Sequence, residues 1–127
     1  FRYYAVTVAK DVTVDVYILH MDADSDQGDI NAREAQLKQL AAAIKGSNNH
    51  NPIIVMGDTN CRYTREHLKT LFIDGLNADK RFTVVDPWVE KAWGGKYPTY
   101  GTDSIMAVDK GGPYAYPQAE IVDKMFE

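Results

Sequence analysis

The sequence predicts a layered α/β fold, and three observations support this prediction. Residues 3–9 and 12–19 alternate between apolar and polar types, as half-buried strands do. Apolar residues then recur at helical spacing from Ile30 to Ile44. A short continuous apolar run, residues 52–56, follows and is typical of a strand buried on both faces. Strands, a helix and a buried strand in this order indicate an α/β protein.

The first two runs predict a β-hairpin turning at Lys10 and Asp11, with one buried face. One face of the second strand carries four apolar side chains, those of Val12, Val14, Val16 and Ile18. The other face carries Thr13, Asp15 and Tyr17. Residues 20–29 are polar and predict a loop. Asp29 is the expected cap of the first helix and Gly46 its expected stop.

The second half predicts fewer regular elements. We expect a loop at residues 57–63, a second helix over 64–76 and another strand over 82–85. Residues 88–116 are rich in glycine, proline and aromatic residues and predict a long surface loop, in which Trp93, Tyr97 and Tyr100 are better explained by packing than by ligand contacts. Residues 121–126 predict a last strand.

Composition limits the possible functions. The chain has 127 residues, enough for one domain, and 45% of them are apolar, enough for a core. The net charge is −4 and the basic residues are scattered, which does not favour gripping a nucleic acid backbone. No run reaches the roughly 20 apolar residues of a membrane helix. The single cysteine, Cys61, excludes an internal disulfide and a cysteine-based zinc site, and the sequence indicates no compartment.

The segment Gly57-Asp58-Thr59-Asn60 is the first candidate site. It follows the buried strand directly, where α/β proteins place their ligands. A carboxylate there can orient and deprotonate water, while an amide can donate to a phosphoryl oxygen or bind a metal through its carbonyl. An ordinary Asx turn explains the same residues equally well.

His20 and Asp123 are two further candidates. His20 ends the second predicted strand, where it can contact an anion or move a proton, or simply bond to a neighbouring carboxylate such as Asp22. Asp123 lies within an apolar strand and needs a partner, which can be structural or a catalytic imidazole.

Other polar residues are assigned structural or surface roles. Arg33 and Gln36, one turn apart on the first helix, are expected to pair with Asp22 or Asp24 near the site. His50 and His67 are expected to be solvated surface residues.

Four segments in this order resemble the endonuclease/exonuclease/phosphatase superfamily, which includes pancreatic deoxyribonuclease and neutral sphingomyelinase. They are residues 16–23, 32–37, 53–60 and 121–126. The resemblance implies a four-layer α/β/β/α sandwich of the deoxyribonuclease I-like type, with the active site at one edge of two packed sheets. Residues 1–127 would form roughly the second half of this domain.

The resemblance also implies roles for individual residues. His20 would contact the scissile phosphate, Asp58 would align or deprotonate the attacking water, and Asn60 would hold a phosphoryl oxygen. Asp58 and Asn60 would help to bind a divalent cation, Mg²⁺ or else Mn²⁺ or Ca²⁺. Asp123 would hydrogen-bond a second histidine that stabilises developing charge.

Two features of the family are missing from the chain: the principal metal-binding glutamate of the first half, and a terminal Asp-His segment. We therefore expect the principal metal ligand to come from outside these 127 residues. The chain alone is expected to be inactive and to need the missing N-terminal half, or a second copy, as a partner.

The predicted function is metal-dependent hydrolysis of a phosphodiester or phosphomonoester by an activated water. A non-catalytic binding or scaffold member of the same fold is the alternative. The acidic balance favours a small-molecule or lipid phosphate ester slightly over DNA as the substrate.

Overall fold

The computed structural model describes residues 1–102 and 122–127 and has a mixed α/β architecture. The sheet contains four strands, β1 (Arg2–Ala9), β2 (Val12–His20), β3 (Ile53–Asp58) and β4 (Asp123–Phe126). Three α-helices are α1 (Gln27–Gly46), α2 (Gly75–Asn77) and α3 (Pro87–Trp93), and a π-helix (Lys69–Asp74) directly precedes α2. The predicted α/β class is therefore confirmed.

The strands lie in the order β1-β2-β3-β4. β1 and β2 form the predicted antiparallel hairpin, and β3 runs parallel to β2. Helix α1 is the crossover that a parallel connection requires. β4 then adds antiparallel to β3, so that β3 is a central strand of the described sheet. None of the helices in the described residues is long and apolar enough to cross a membrane.

Within the described residues, the core lies on one face of the sheet. Tyr17, Leu19, Val55 and Phe126 point from the strands toward the helices. The helical layer contributes a second set of buried residues, chiefly Leu37, Leu40 and Ile44 of α1, with Leu68, Phe72 and Leu76 near the π-helix. The apolar stripe predicted for the first helix is therefore confirmed as its buried stripe.

The buried face of the hairpin is not the valine face. Asp15, Tyr17 and Leu19 are buried beneath the helices, whereas Val12 and Ile18 are each 44% exposed. Alternation shows which residues share a face but not which face the helices cover. Asp15 tolerates burial because its carboxylate accepts hydrogen bonds from the Tyr3 hydroxyl and from the amides of Asn49 and Asn51.

The opposite face of the sheet is apolar and open. Ile18, Met56 and Met125 form one row across β2, β3 and β4, and these three side chains are 44%, 38% and 44% exposed. Val6 and Tyr4 extend the patch onto β1. No part of residues 1–102 or 122–127 covers this row.

The predicted starts of two helical segments are wrong. Helix α1 begins at Gln27 with Asp26 as its N-cap, and Asp29 is instead the third helical residue of a reciprocal capping box. The second helical region begins at Lys69 rather than at 64, because residues 59–67 form an irregular loop held by hydrogen bonds between its own side chains and backbone.

Two further predictions fail in the stretch after α2. Residues 82–85 form no strand, although Val85 exchanges two backbone hydrogen bonds with Glu127. Helix α3 lies inside the predicted loop 88–116, with Asp86 capping it and Gly94 ending it in the left-handed conformation. Residues 103–116 of that loop, and Ile121 of the last predicted strand, lie outside the described residues.

Candidate functional site

The sheet register brings three of the candidate residues into one row. His20 is opposite Asp58 in the parallel pair β2–β3, and Asp58 is opposite Asp123 in the antiparallel pair β3–β4. Residues that are opposite one another project from the same face of a sheet. The row therefore lies on the open face, directly beyond the apolar row of Ile18, Met56 and Met125. The candidate site is thus at the edge of the open apolar face.

Gly57 allows β3 to lie against β2 at this point. Its φ of +135° is a conformation that side chains rarely adopt, and a Cβ there would lie 2.1 Å from the Leu19 carbonyl oxygen. The missing side chain therefore allows the backbone to come close to the neighbouring strand. This close approach sets the spacing of the strand ends that carry His20 and Asp58.

Asp58 and Asn60 form the Asx turn considered from the sequence, and the turn leaves functional atoms accessible. The Asn60 backbone N–H donates to Asp58 Oδ1 at 2.8 Å, with Asn60 in the left-handed region at φ +48°. Asn60 Nδ2 donates to the Met21 carbonyl at 3.0 Å. The loop after β3 is thereby joined to the end of β2, and Asp58 Oδ2 remains directed toward His20.

His20 faces Asp58 rather than Asp22. The distance from His20 Nε2 to Asp58 Oδ2 is 3.8 Å, with the two side chains 76% and 31% exposed. This is close enough for a charge interaction but too long for a hydrogen bond. An imidazole and a carboxylate held apart on an accessible face can both act on one anionic ligand.

Asp123 is the first residue of β4, and its side chain is exposed. No burial cost therefore requires a partner for it within the described residues, contrary to the reasoning from its apolar neighbours. Two carboxylates directly opposite one another on a sheet repel unless a positive group lies near them. Asp58 and Asp123 thus make this end of the row suited to a cation or a protonated imidazole.

Thr59 has a role that the sequence did not reveal. Its backbone N–H and its Oγ1 both donate to the Val122 carbonyl, at 3.0 and 2.7 Å, and the side chain is 1% exposed. The same Oγ1 accepts the Cys61 backbone N–H at 3.1 Å. Thr59 therefore attaches the loop after β3 to the start of β4, beside Asp123. A buried threonine in a polar turn was the only available signal.

Arg33 and Gln36 lie behind the site, as predicted, but they bind backbone atoms rather than carboxylates. Gln36 Oε1 accepts the Asp22 backbone N–H at 3.0 Å. Arg33 Nη1 donates to the carbonyls of Asp22, Ala23 and Asp24 at 3.2, 3.2 and 2.8 Å. The predicted pairing with Asp22 or Asp24 is therefore confirmed, but it is made through backbone atoms of the loop.

His67 is not a freely solvated residue. Its Nδ1 lies 2.6 Å from Glu34 Oε1, and its ring stacks on Tyr100 with centroids 4.0 Å apart. Tyr97 and Trp93 pack against the core, as preferred from the sequence. The Tyr97 hydroxyl oxygen also accepts the Asp86 backbone N–H at 3.0 Å, so that Tyr97 anchors the start of α3.

Cys61 cannot serve as a nucleophile. It is fully buried next to Asn60, and burial, with the nearby Glu66 carboxylate, raises the pKa of its thiol to about 12. Only the thiolate is reactive, so this thiol is chemically inert at neutral pH. The titratable side chains that remain accessible at the candidate site are those of His20, Asp58 and Asp123.

The oxygen atoms present suit a hard divalent cation but form an incomplete set. Asp58, Asn60 and Asp123 offer carboxylate and amide oxygens, which Mg²⁺ and Ca²⁺ prefer. In the part of the chain that the structure describes, no three histidine, cysteine, aspartate or glutamate side chains converge on one point. A cation held here would need further ligands from water, substrate or another polypeptide segment.

A cavity of about 580 Å³ lies beside Asp123. Trp88 and Lys91 of α3 line it together with Met125 of β4. It is a mostly apolar space adjoining the end of the polar row.

Comparison of the chain with protein-family models and with curated protein sequences finds no match. The resemblance to the superfamily therefore rests on the four sequence segments and on the arrangement of their residues.

Proposed function

We propose that this chain carries one half of the active site of a metal-dependent phosphoesterase of the endonuclease/exonuclease/phosphatase superfamily. The observation that carries the proposal is the row of His20, Asp58 and Asp123 across three strand ends, with Asn60 beside it. These residues come from three of the four segments on which the resemblance rests. Their alignment on one accessible face is what a shared site requires.

The proposed reaction is attack of water on a phosphate ester. Asp58 Oδ2 takes a proton from the water as its oxygen bonds to phosphorus, and the bond from phosphorus to the ester oxygen breaks. Asp58 suits this role because its Oδ1 is already fixed by the Asn60 N–H, which orients the other oxygen. The departing oxygen then gains a proton from bulk water, and Asp58 returns to bulk water the proton that it took.

Asn60 and His20 would bind the phosphate. Asn60 is held by its own bond to the Met21 carbonyl, so it presents its remaining atoms without a loss of side-chain freedom on binding. His20 is 76% exposed and can contact a phosphoryl oxygen. Asp123 would orient an imidazole supplied from outside the described residues.

A divalent cation would neutralise phosphate charge and stabilise the leaving oxygen. Asp58 and Asn60 are the residues of this chain that would help to hold it. Its principal ligand is proposed to come from another polypeptide segment, because the described residues offer too few converging oxygens.

The open apolar face supports the proposed sandwich. A second sheet packed on Ile18, Met56 and Met125 would bury the exposed row and would end beside His20, Asp58 and Asp123. The site would then lie at the rim between two sheets, where residues from both can reach one phosphate. A second sheet of this kind would come from another polypeptide segment or from a second copy of this chain.

For the substrate we propose a small-molecule or lipid phosphate ester rather than DNA. The net charge of −4 does not favour a polyanion. The mostly apolar cavity beside Asp123 offers space for an uncharged leaving group.

Substitution of Asp58 tests the function directly. In the full-length protein with Mg²⁺, Asp58→Ala and Asn60→Ala should each lower turnover of bis(p-nitrophenyl) phosphate by about 100-fold or more, since each removes a group that acts in the transition state. Asp74→Ala, which removes an exposed carboxylate of the π-helix, is the matched control and should leave turnover unchanged. Full activity of Asp58→Ala would refute the proposal, and phosphate binding without turnover in the wild type would favour the scaffold alternative.

A further inference from the structure

Arg33 and Glu66 form an ion pair that is completely buried. Arg33 Nη2 donates to Glu66 Oε1 at 2.7 Å, and both side chains are 0% exposed. Transferring two charges from water to the interior is costly, and the attraction between them often fails to exceed this cost. Stability by itself is therefore a weak explanation for the pair, and its other contacts indicate what it does.

Arg33 binds the loop that follows His20. Its Nη1 donates to three consecutive carbonyls, those of Asp22, Ala23 and Asp24. This loop begins one residue after the strand that places His20 in the row. Arg33 thus holds the backbone immediately beyond one of the proposed phosphate-binding residues.

Glu66 binds the loop that follows Asn60. While Oε1 accepts from Arg33, Oε2 accepts the Arg62 backbone N–H at 2.6 Å. Arg62 lies two residues beyond Asn60. The carboxylate therefore connects the guanidinium of α1 to the loop that carries Asp58 and Asn60.

The contacts form a continuous bridge: the loop after β2, Arg33, Glu66, and the loop after β3. We propose that Arg33 and Glu66 are positioning residues, which fix the loop carrying Asp58 and Asn60 relative to the strand end carrying His20. This inference rests on the proposed function for its catalytic consequence. Its structural content, that the pair holds the two loops together, can be measured without any activity.

A neighbouring ion pair provides a matched control. Glu34 and His67 are the next residues along the chain from Arg33 and Glu66, and they join the same two segments. They contact neither the carbonyls of residues 22–24 nor the Arg62 N–H in the described structure. Removing Glu34 and His67 should therefore weaken the contact between these two segments while leaving both loops bonded to Arg33 and Glu66.

The deciding variant replaces both charged residues by apolar ones, Arg33→Met with Glu66→Leu. Loss of a single partner leaves an uncompensated buried charge and can prevent folding, whereas an apolar pair of similar volume is commonly tolerated. In the full-length protein, we expect the denaturant midpoint of the double variant to lie closer to the wild-type midpoint than the midpoints of the two single variants do. The loops after β2 and β3 should nevertheless lose the hydrogen bonds that Arg33 and Glu66 make to them.

Two measurements are made on this double variant and on the control variant Glu34→Ala with His67→Ala. Hydrogen exchange of residues 21–24 and 58–62 should accelerate at least about tenfold in the first and stay unchanged in the second. With Mg²⁺ and bis(p-nitrophenyl) phosphate, kcat should fall about 10- to 100-fold in the first with a smaller change in KM, because a misplacement of about 1 Å can cost that much.

The outcomes separate the two proposals. Unchanged exchange in the Arg33→Met, Glu66→Leu variant, or an equal rise in the control, overturns the positioning role. Faster exchange with unchanged kcat would show that the Arg33–Glu66 pair does not matter for the reaction. The function itself would still be tested by Asp58→Ala. If the wild type itself shows no turnover, the proposed function fails, and the exchange measurement still decides whether the pair holds the loops.

Discussion

Gly57 and Leu19 lie closer across β3 and β2 than any other residue type at position 57 would permit. A Cβ on Gly57 would be 2.1 Å from the Leu19 carbonyl oxygen and 3.1 Å from its backbone nitrogen and carbonyl carbon. Because the obstructing atoms are backbone, no side-chain rotation can relieve the overlap. This contact sets the distance between the strand ends that carry His20 and Asp58.

Gly57→Ala should therefore destabilise the protein by at least about 2 kcal/mol, from overlap and from the strain of a φ of +135°. The measurement is chemical denaturation of the variant and the wild type. Gly46→Ala is the control, since a Cβ at the end of α1 meets nothing within 4 Å, and its effect should stay within about 0.5 kcal/mol. Equal effects of the two substitutions would show that the close approach is not real.

His20→Ala should lower turnover of the full-length protein by about 100-fold while leaving its unfolding free energy within about 0.5 kcal/mol. The side chain is 76% exposed and makes no hydrogen bond within the described residues, so its loss should cost little stability. Steady-state kinetics and denaturation check the two expectations. His50→Ala, in the loop before β3, is the control for removing an exposed imidazole. A large loss of stability in His20→Ala would assign His20 a structural role instead.

The Glu34–His67 pair should make stability depend on pH. Burial by itself raises the pKa of Glu34, but hydrogen bonds from the His67 backbone N–H and imidazole, with the charges of His67 and Lys38, lower it below its ordinary value of 4.5. A carboxyl with a lowered folded-state pKa stabilises the protein above its unfolded pKa, and this contribution is lost as the pH falls through the folded pKa.

The wild type should accordingly have a higher free energy of unfolding than Glu34→Gln near pH 6. This difference between the two proteins should shrink below about pH 4.5. Denaturation curves at several pH values give this difference. His67→Ala should weaken the same pH dependence, since it removes the imidazole partner. A difference that is constant from pH 3 to 6 would exclude the interaction.

Cys61 should resist alkylation in the folded protein. Its thiol is fully buried and its pKa is about 12, so almost no thiolate exists at pH 8. Iodoacetamide labelling followed by mass spectrometry should proceed at least about 100-fold more slowly than in urea-unfolded chain, where the pKa returns to its ordinary value. Rapid labelling of folded protein would mean that the loop after Asn60 opens readily.

A substitution on the open sheet face should have different effects on the stability of the 127-residue chain and of the full-length protein. Met56→Lys is expected to leave the stability of the 127-residue chain nearly unchanged and to reduce binding of an apolar dye, because Met56 is already 38% exposed. The same substitution should destabilise the full-length protein by about 2 kcal/mol or more if a second sheet covers the face. Val55→Lys, on the buried face, should destabilise both.

The local chain pattern was enough to predict the hairpin, a strand after the first helix and the coarse α/β class. The expectation that this strand is buried on both faces is wrong, since Met56 is 38% exposed. The alternation of residues 12–19 correctly grouped the side chains by face. It could not identify the buried face, because both faces carry apolar residues and the helices decide which one they cover. Helix α3 was missed because a seven-residue helix among glycines and aromatic residues has too little periodicity to be recognised.

The candidate site divides in the same way. The residues of Gly57-Asp58-Thr59-Asn60, with His20 and Asp123, were identifiable because their types and their positions at strand ends are local properties of the chain. Strand register and long-range contacts decided what the chain pattern left open: the row of His20, Asp58 and Asp123, the approach of Gly57 to Leu19, and the bridge from Arg33 to Glu66. Each of these features joins residues that are far apart in sequence. Such pairings depend on which surfaces are buried against one another, away from water, and not on the conformation of any one segment.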